Sequence, residues 1–161
     1  IPVKTLRTFG IETTFSQGDS GYTRARLEHT DTKCTSKSIG KQFNCAYRNS
    51  VFNYRYRGRI IGSSLDNDAL MWALGIDHVD ASGTSASTAI RYADINRAGA
   101  PDPTHALSPT PLKLWEAEGR LRKDFKFGEV EMAVIFDRTK DPLTEHAAIA
   151  VRGFLSWSKR L

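Results

Sequence analysis

Polar and apolar residues alternate most plainly over Val51–Ile61. Phe52, Tyr54 and Tyr56 fall on one side, and Asn53, Arg55, Arg57 and Arg59 on the other. A period of two predicts a strand, here with one aromatic and one basic face. Tyr22–Thr30 alternates in the same way, setting Tyr22, Arg24, Arg26 and Glu28 against Thr23, Ala25, Leu27 and His29. Phe43–Tyr47 and Gly128–Asp137 read as further strands. In the latter, Val130, Met132, Val134 and Phe136 oppose Glu129, Glu131, Ala133 and Ile135. Ala147–Trp157 is apolar at both parities and predicts a central strand, buried on two sides. Residues 1–20 show no clear period, and Asp31–Gly40 reads as a polar loop.

The middle of the chain carries helix punctuation instead. Ser63 with Asp66 three residues on has the form of a capping box, opening a helix that runs to about Leu74 and stops at Gly75. Asp77–Thr84 then reads as a loop. Ser85 or Ser87 caps a second helix through Ile90, Ala93 and Arg97, ended by Gly99. Pro101, Pro103, Pro109 and Pro111 make residues 100–111 an irregular connection. Thr110 as N-cap and Pro111 as first helical residue start a third helix through Trp115 to Leu121. Asp137–Glu145, with Pro142, reads as a turn. The sum is an α+β fold over a single domain, residues 1–161, mainly antiparallel β-strands with two or three short helices in the middle.

Composition narrows the class. With 40% hydrophobic and 25% charged residues the chain is globular rather than disordered. It contains no apolar run near the length of a transmembrane helix, so the expectation is no membrane span. It begins at Ile1 rather than Met, which reads as a processed or excised segment. The net charge of +5 is polarised: residues 1–61 hold eleven of the 23 basic residues but four of the 18 acidic ones. That polarity suggests an anion-binding segment, the anion being a cofactor diphosphate or a polynucleotide. Cys34 and Cys45 either close a small disulfide loop, worth about 2–3 kcal/mol and implying secretion, or remain thiols in a cytoplasmic or virion setting. Two cysteines and four scattered histidines make no metal-ligand pattern, so no metal is expected.

Three constellations carry candidate chemistry. Arg55, Arg57 and Arg59 on one strand face suit a phosphate. Hydroxyls from Thr84 to Thr88, including Ser85 and Ser87, satisfy free N–H groups at a helix start and reach a sugar hydroxyl. Glu129 and Glu131 share one strand face. In order, Tyr56-Arg57-Gly58, the Ser/Thr cluster and Glu129-Val130-Glu131 resemble the arginine–serine–glutamate pattern of mono-ADP-ribosyltransferase toxins and ectoenzymes. The resemblance implies NAD as cofactor and a protein acceptor. Arg57 would hold the diphosphate or ribose, and Ser85 or Ser87 would position the nicotinamide ribose. Glu131 would stabilise the oxocarbenium-like centre. Glu129 would orient the acceptor, with Phe125 or Phe127 on the preceding turn. The family's Ser-Thr-Ser run is present only as Thr-Ser-Ala-Ser-Thr.

Two other classes fit the same residues. A basic β-rich domain binds nucleic acid, with Arg24, Arg26, Arg55, Arg57 and Arg59 neutralising phosphates. A self-assembling viral coat protein falls in this class. A small secreted ribonuclease would use His29 beside Glu28, with Glu131 and Arg57 as partners.

Overall fold

A computed structural model of the chain describes residues 5–16, 18–36, 40–42, 55–56, 59–60, 65, 68–97 and 107–159. The strands are β1 (Thr5–Ser16), β2 (Gly21–Ser36), β3 (Gly40–Gln42), β4 (Arg55–Tyr56), β5 (Arg59–Ile60), β6 (Ala69–Asp80), β7 (Ser85–Ile95), β8 (Leu112–Phe125), β9 (Gly128–Lys140) and β10 (Ala147–Ser158). A single 3₁₀ turn, Gly18–Ser20, joins β1 to β2. The long strands form one sheet in the order β1-β2-β6-β7-β8-β9-β10, every neighbouring pair antiparallel, with β3 folded back on β2. The β4–β5 pair stands apart as a second sheet.

The α+β expectation is therefore corrected to a nearly all-β antiparallel fold, with no α-helix among the described residues. All three expected helices are strands. Residues 69–74 of the first belong to β6, the second is β7, and the third is β8. The polar starts of the second and third, Ser85 and Thr110-Pro111, open or precede strands, since Ser, Thr and Pro serve turns as readily as helix caps; Ser63 and Asp66 lie outside the described residues. Asp77–Asp80 continues β6, leaving a turn at residues 81–84. β2 runs through the expected polar loop to Ser36, and β1 occupies the stretch without a period. Gly128–Asp137 and Ala147–Trp157 are strands at nearly the expected bounds, but β10 ends the strand order instead of lying centrally. Val51–Ile61 is not one strand. Arg55 pairs with Ile60 and Tyr56 with Arg59 in antiparallel register, which puts Arg55 and Arg59 on opposite faces of the pair. Arg57, Phe43–Tyr47 and Cys45 lie outside the described residues.

The connections differ sharply between the two ends of the sheet. β1–β2, β6–β7 and β8–β9 join through residues 17–20, 81–84 and 126–127. At the opposite end β2 finishes at Ser36 and β6 begins at Ala69, β7 finishes at Ile95 and β8 begins at Leu112, and residues 141–146 join β9 to β10. Gly128 shows why the tightest turn needs glycine. Its φ is +137°, and a Cβ there would lie 2.4 Å from the Ser158 carbonyl oxygen.

The buried cluster is small: Leu65, Ala69, Ala93 and Ile95, flanked by Met71, Leu112 and Leu114. It sits at the long-connection end and is tied by a buried polar clamp. Arg97 Nη2 donates to Asp31 Oδ1 at 2.6 Å and to the Ala69 carbonyl at 3.2 Å, while its Nε lies 3.4 Å from Asp68 Oδ1. Asp68 is fully buried, and its carbonyl accepts the Asn96 N–H at 2.8 Å.

Candidate functional site

Pleating sends successive side chains to opposite faces, and the register aligns these faces across seven strands. One face is apolar. It carries Phe9, Ile11 and Phe15 from β1, Leu27 from β2, and Trp72, Leu74 and Ile76 from β6. Ile90, Trp115 and Leu121, then Met132, Val134, Phe136, Val151, Leu155 and Trp157, extend it to β10. All of these are exposed. So large a contiguous apolar surface marks contact with an apolar medium or partner. Aromatic residues collect at its two ends. Towards the long connections, Phe9, His29 and Trp72 stand in one register row, with ring centroids 4.1 Å apart for His29–Trp72 and 5.8 Å for Phe9–Trp72. Tyr92 and Trp115 continue the row, 4.7 Å apart. Towards the short turns stand Phe15, Trp157 and Phe125, the last stacked on Phe127 at 5.1 Å.

The other face is charged and internally neutralised. On β1, β2 and β6, Arg24 donates to Asp77 at 3.3 Å and lies 4.0 Å from Glu12, while Arg26 lies 3.5 Å from Asp77. Arg26 has room because Gly75 lies beneath it: a Cβ there would meet its Nε at 2.7 Å. On β7, β8 and β9, Arg91 bonds Glu116 and Glu118, the latter at 3.0 Å. Arg120 bridges Glu118 and Glu131, both at 3.0 Å. Arg122 pairs with Glu129 and Arg152 with Asp137. Pairs this exposed contribute about 0–1 kcal/mol each, so their weight lies in a dense, ordered set of donors and acceptors.

Between the two networks the strands carry small residues. Ser87 stands opposite Asp77 on one side and Arg120 on the other, and Ser85 stands opposite Arg122. The gap is a depression of about 260 Å³ lined by Tyr22, Arg24, Asp77, Ser85, Ser87, Arg120, Arg122 and Glu131. Beside it Asp80 fastens the β6–β7 turn. Its Oδ1 accepts from Ser82 Oγ at 2.6 Å, Ser82 N at 2.8 Å and Thr84 N at 2.9 Å. The Ser82 hydroxyl above all holds this carboxyl below the usual carboxylate range.

Of the residues singled out by sequence, Arg24, Ser85, Ser87 and Glu131 meet at this depression, with Glu129 held next to it by Arg122. Arg26 belongs to the neighbouring network, and Arg55 and Arg59 to the separate hairpin. Sequence reasoning missed Asp77, Arg91, Glu116, Glu118, Arg120 and Arg122. The signal was present, as Glu116, Glu118, Arg120 and Arg122 recur with a period of two. Among the described residues no group of His, Cys, Asp and Glu has metal-binding geometry. Planar carboxylates and guanidiniums beside hydroxyls and a tyrosine ring offer paired hydrogen bonds to a polyhydroxylated ligand.

The sequence model of a family described as capsule assembly protein Wzi matches residues 1–140. A solved structure is similar with a TM-score of 0.66 and 16% identity, covering 96% of this chain and 34% of that one. It is described as Wzi, an outer-membrane protein involved in group 1 capsule assembly in Escherichia coli and a carbohydrate-binding β-barrel. The chain thus spans about a third of that protein. No curated protein sequence matches.

These findings overturn the functional expectations. The resemblance to mono-ADP-ribosyltransferases fails against the family match, and with it the transfer of ADP-ribose to a protein acceptor. Physically, its Ser/Thr motif lies within a strand, and Glu129-Val130-Glu131 is one stretch of a charged ladder. NAD entered only through that resemblance. The nucleic-acid, coat-protein and ribonuclease readings are corrected by the same match. Arg24 and Arg26 face Asp77 and Glu12 rather than a free phosphate site, and His29 lies on the apolar face beside Trp72, away from Glu28 and Glu131. The cytoplasmic and virion expectations conflict with a family whose solved member is an outer-membrane protein. The expectation of no membrane span rested on helices. No helix among the described residues is long and apolar enough to cross a membrane, a criterion that does not address strands.

Proposed function

The chain belongs to the family of the capsule assembly protein Wzi, and from that premise we propose that it forms part of the wall of an outer-membrane β-barrel that binds carbohydrate during capsule assembly. The observation that carries this reading is the division of the same strands into an apolar face with aromatic residues at both ends and a charged face. Membrane barrels present an apolar band about 25 Å tall, with aromatic girdles, to lipid and keep polar residues inside. On β8, Trp115 and Phe125 are ten residues apart, or about 34 Å along a strand. At the usual tilt near 45° that is roughly 24 Å of height. The long strands run from 11 to 16 residues, enough to cross at about 9–11 residues per span. Barrels of this kind have short periplasmic turns and longer outer loops, which orients outward the end of the sheet where β2, β7 and β9 finish.

The charged face then lines the interior, and the depression around Ser85 and Ser87 is the carbohydrate contact. Arg120, Arg122 and Glu131 supply directional donors and acceptors, and Tyr22 supplies a ring against which a sugar face packs. The test is binding of purified group 1 capsular polysaccharide to the immobilised full-length protein. Arg120→Gln with Arg122→Gln is expected to weaken binding by roughly tenfold to a hundredfold or more, the loss of one or two charged hydrogen bonds. Unchanged binding by a folded variant would remove the depression from the account and leave the outer connections as the contact.

A further inference from the structure

On the apolar face, beyond Trp115 towards the long connections, the character changes abruptly. Lys113 of β8 and Lys140 of β9 are direct cross-strand partners, and Arg138 is the partner of Trp115 one pair further in. Side chains directly opposite lie about 4.5–5.5 Å apart at Cβ, and like charges there repel. Three cations therefore crowd one corner of a face whose middle is apolar. Local carboxylates answer them only in part: Glu145 bonds Lys140, and Asp94 stands opposite Lys113 across β7. Among the described residues none forms an ion pair with Lys113 or Arg138. Three cations thus stand against two carboxylates, and the position of the surplus specifies which kind of anion would complete it. The cluster does not face the charged interior. It projects sideways from the edge of the apolar strip, next to the Tyr92–Trp115 aromatic pair, where tryptophan and tyrosine mark the level of lipid headgroups.

We infer that Lys113, Arg138 and Lys140 form a docking surface for the phosphate-bearing headgroup of an outer-leaflet lipid. The inference rests on the membrane-barrel reading above. Arg138 provides a planar fork for two phosphate oxygens, while the two lysines act as point charges whose mutual repulsion the phosphate relieves. Trp115 and Tyr92 pack against the first segments of the lipid below.

The test uses the full-length protein in phosphatidylcholine vesicles carrying trace spin-labelled phosphatidic acid or spin-labelled phosphatidylcholine. The readout is the motionally restricted fraction of each label. Wild type should restrict phosphatidic acid roughly 25-fold or more over phosphatidylcholine, about fivefold for each of at least two cations. Each cation near an anionic headgroup contributes about a fivefold preference, so Lys113→Gln, Arg138→Gln and Lys140→Gln combined should abolish the selectivity. Both proteins should restrict phosphatidylcholine equally, which shows that the variant is folded and inserted. Lys113→Gln alone, which relieves the repulsion, should reduce selectivity about fivefold with no loss of folding. Equal selectivity in wild type and triple variant would overturn the inference, as would displacement of the label by millimolar inorganic phosphate, which would mark a site for the free ion. Absence of any restricted lipid would overturn the barrel reading and this one with it.

Discussion

Trp115 and Glu116 are neighbours in β8 and leave the sheet in opposite directions. Trp115 packs 4.7 Å from the ring of Tyr92 on the apolar side, and Glu116 receives the guanidinium of Arg91 on the charged side. That one-residue switch recurs along the long strands from β1 to β9. Strand register is what keeps the two chemistries apart, because slipping any strand by one residue would exchange its faces.

Leu74 lies on the apolar face in line with Leu27 and Ile90. Leu74→Arg is expected to destabilise the protein in bilayers by roughly 1–2 kcal/mol, between the cost of an arginine at the interface and at the midplane, since Leu74 lies one pair inside the Trp72 row. Thr14→Arg, exposed on the charged face opposite Arg24, should change stability far less. Urea titration in vesicles checks the contrast.

Arg97 ion-pairs with both Asp68 and Asp31. Arg97→Met removes that cation from a fully buried carboxylate. Breaking a buried pair in this way costs about 3–5 kcal/mol. The loss should be read as a lower unfolding midpoint, and it should be smaller when Asp68→Asn accompanies it.

The Asp80 carboxyl is held below its ordinary range by the Ser82 hydroxyl and the turn N–H groups. A depressed folded value means that the carboxylate stabilises the β6–β7 turn in full above the unfolded aspartate pKa of about 3.9. The contribution shrinks as the pH falls below that value and is lost beneath the folded one. Amide exchange at Ser82 and Thr84 should therefore accelerate on acidification through this window in wild type. In Asp80→Asn it should be faster at neutral pH and lack the step.

Gly128 closes the β8–β9 hairpin at a positive φ, with Ser158 and Trp157 pressed against it. Gly128→Ala is expected to destabilise by roughly 1–3 kcal/mol, the range for a side chain held in a disfavoured backbone region. Gly119→Ala, which meets nothing within 4 Å, should be nearly neutral by the same unfolding measurement.

How much of this was legible depends on which signal each segment carries. β9 and most of β2 alternate large apolar against charged residues, and their strand character shows directly. β6 alternates large apolar residues (Trp72, Leu74, Ile76) with small ones (Ala73, Gly75), so the chain reads as one apolar run, and a serine ahead of it mimics a helix cap. In β8 the alternation from Leu112 to Arg122 was visible, but the Thr110-Pro111 start outweighed it. In β10 both parities are apolar, which predicts a central strand. That inference holds for sheets buried in water-soluble proteins and fails here, where β10 ends the strand order with its side chains exposed. The charged face was not legible as a unit. Arg24 and Asp77 are 53 residues apart, and Arg91 and Glu116 are 25 apart. Only the register brings them together.

The central claim is that the apolar face meets lipid, and all three tryptophans, Trp72, Trp115 and Trp157, lie on that face. The direct test is fluorescence quenching by brominated acyl chains in vesicles holding the full-length protein, with these positions retained one at a time in an otherwise tryptophan-free background. Quenching at each of the three, and none for a tryptophan placed on the charged face by Thr14→Trp, is the predicted result. Tryptophans at 72, 115 and 157 that ignore brominated lipid and are quenched by aqueous iodide would contradict the account.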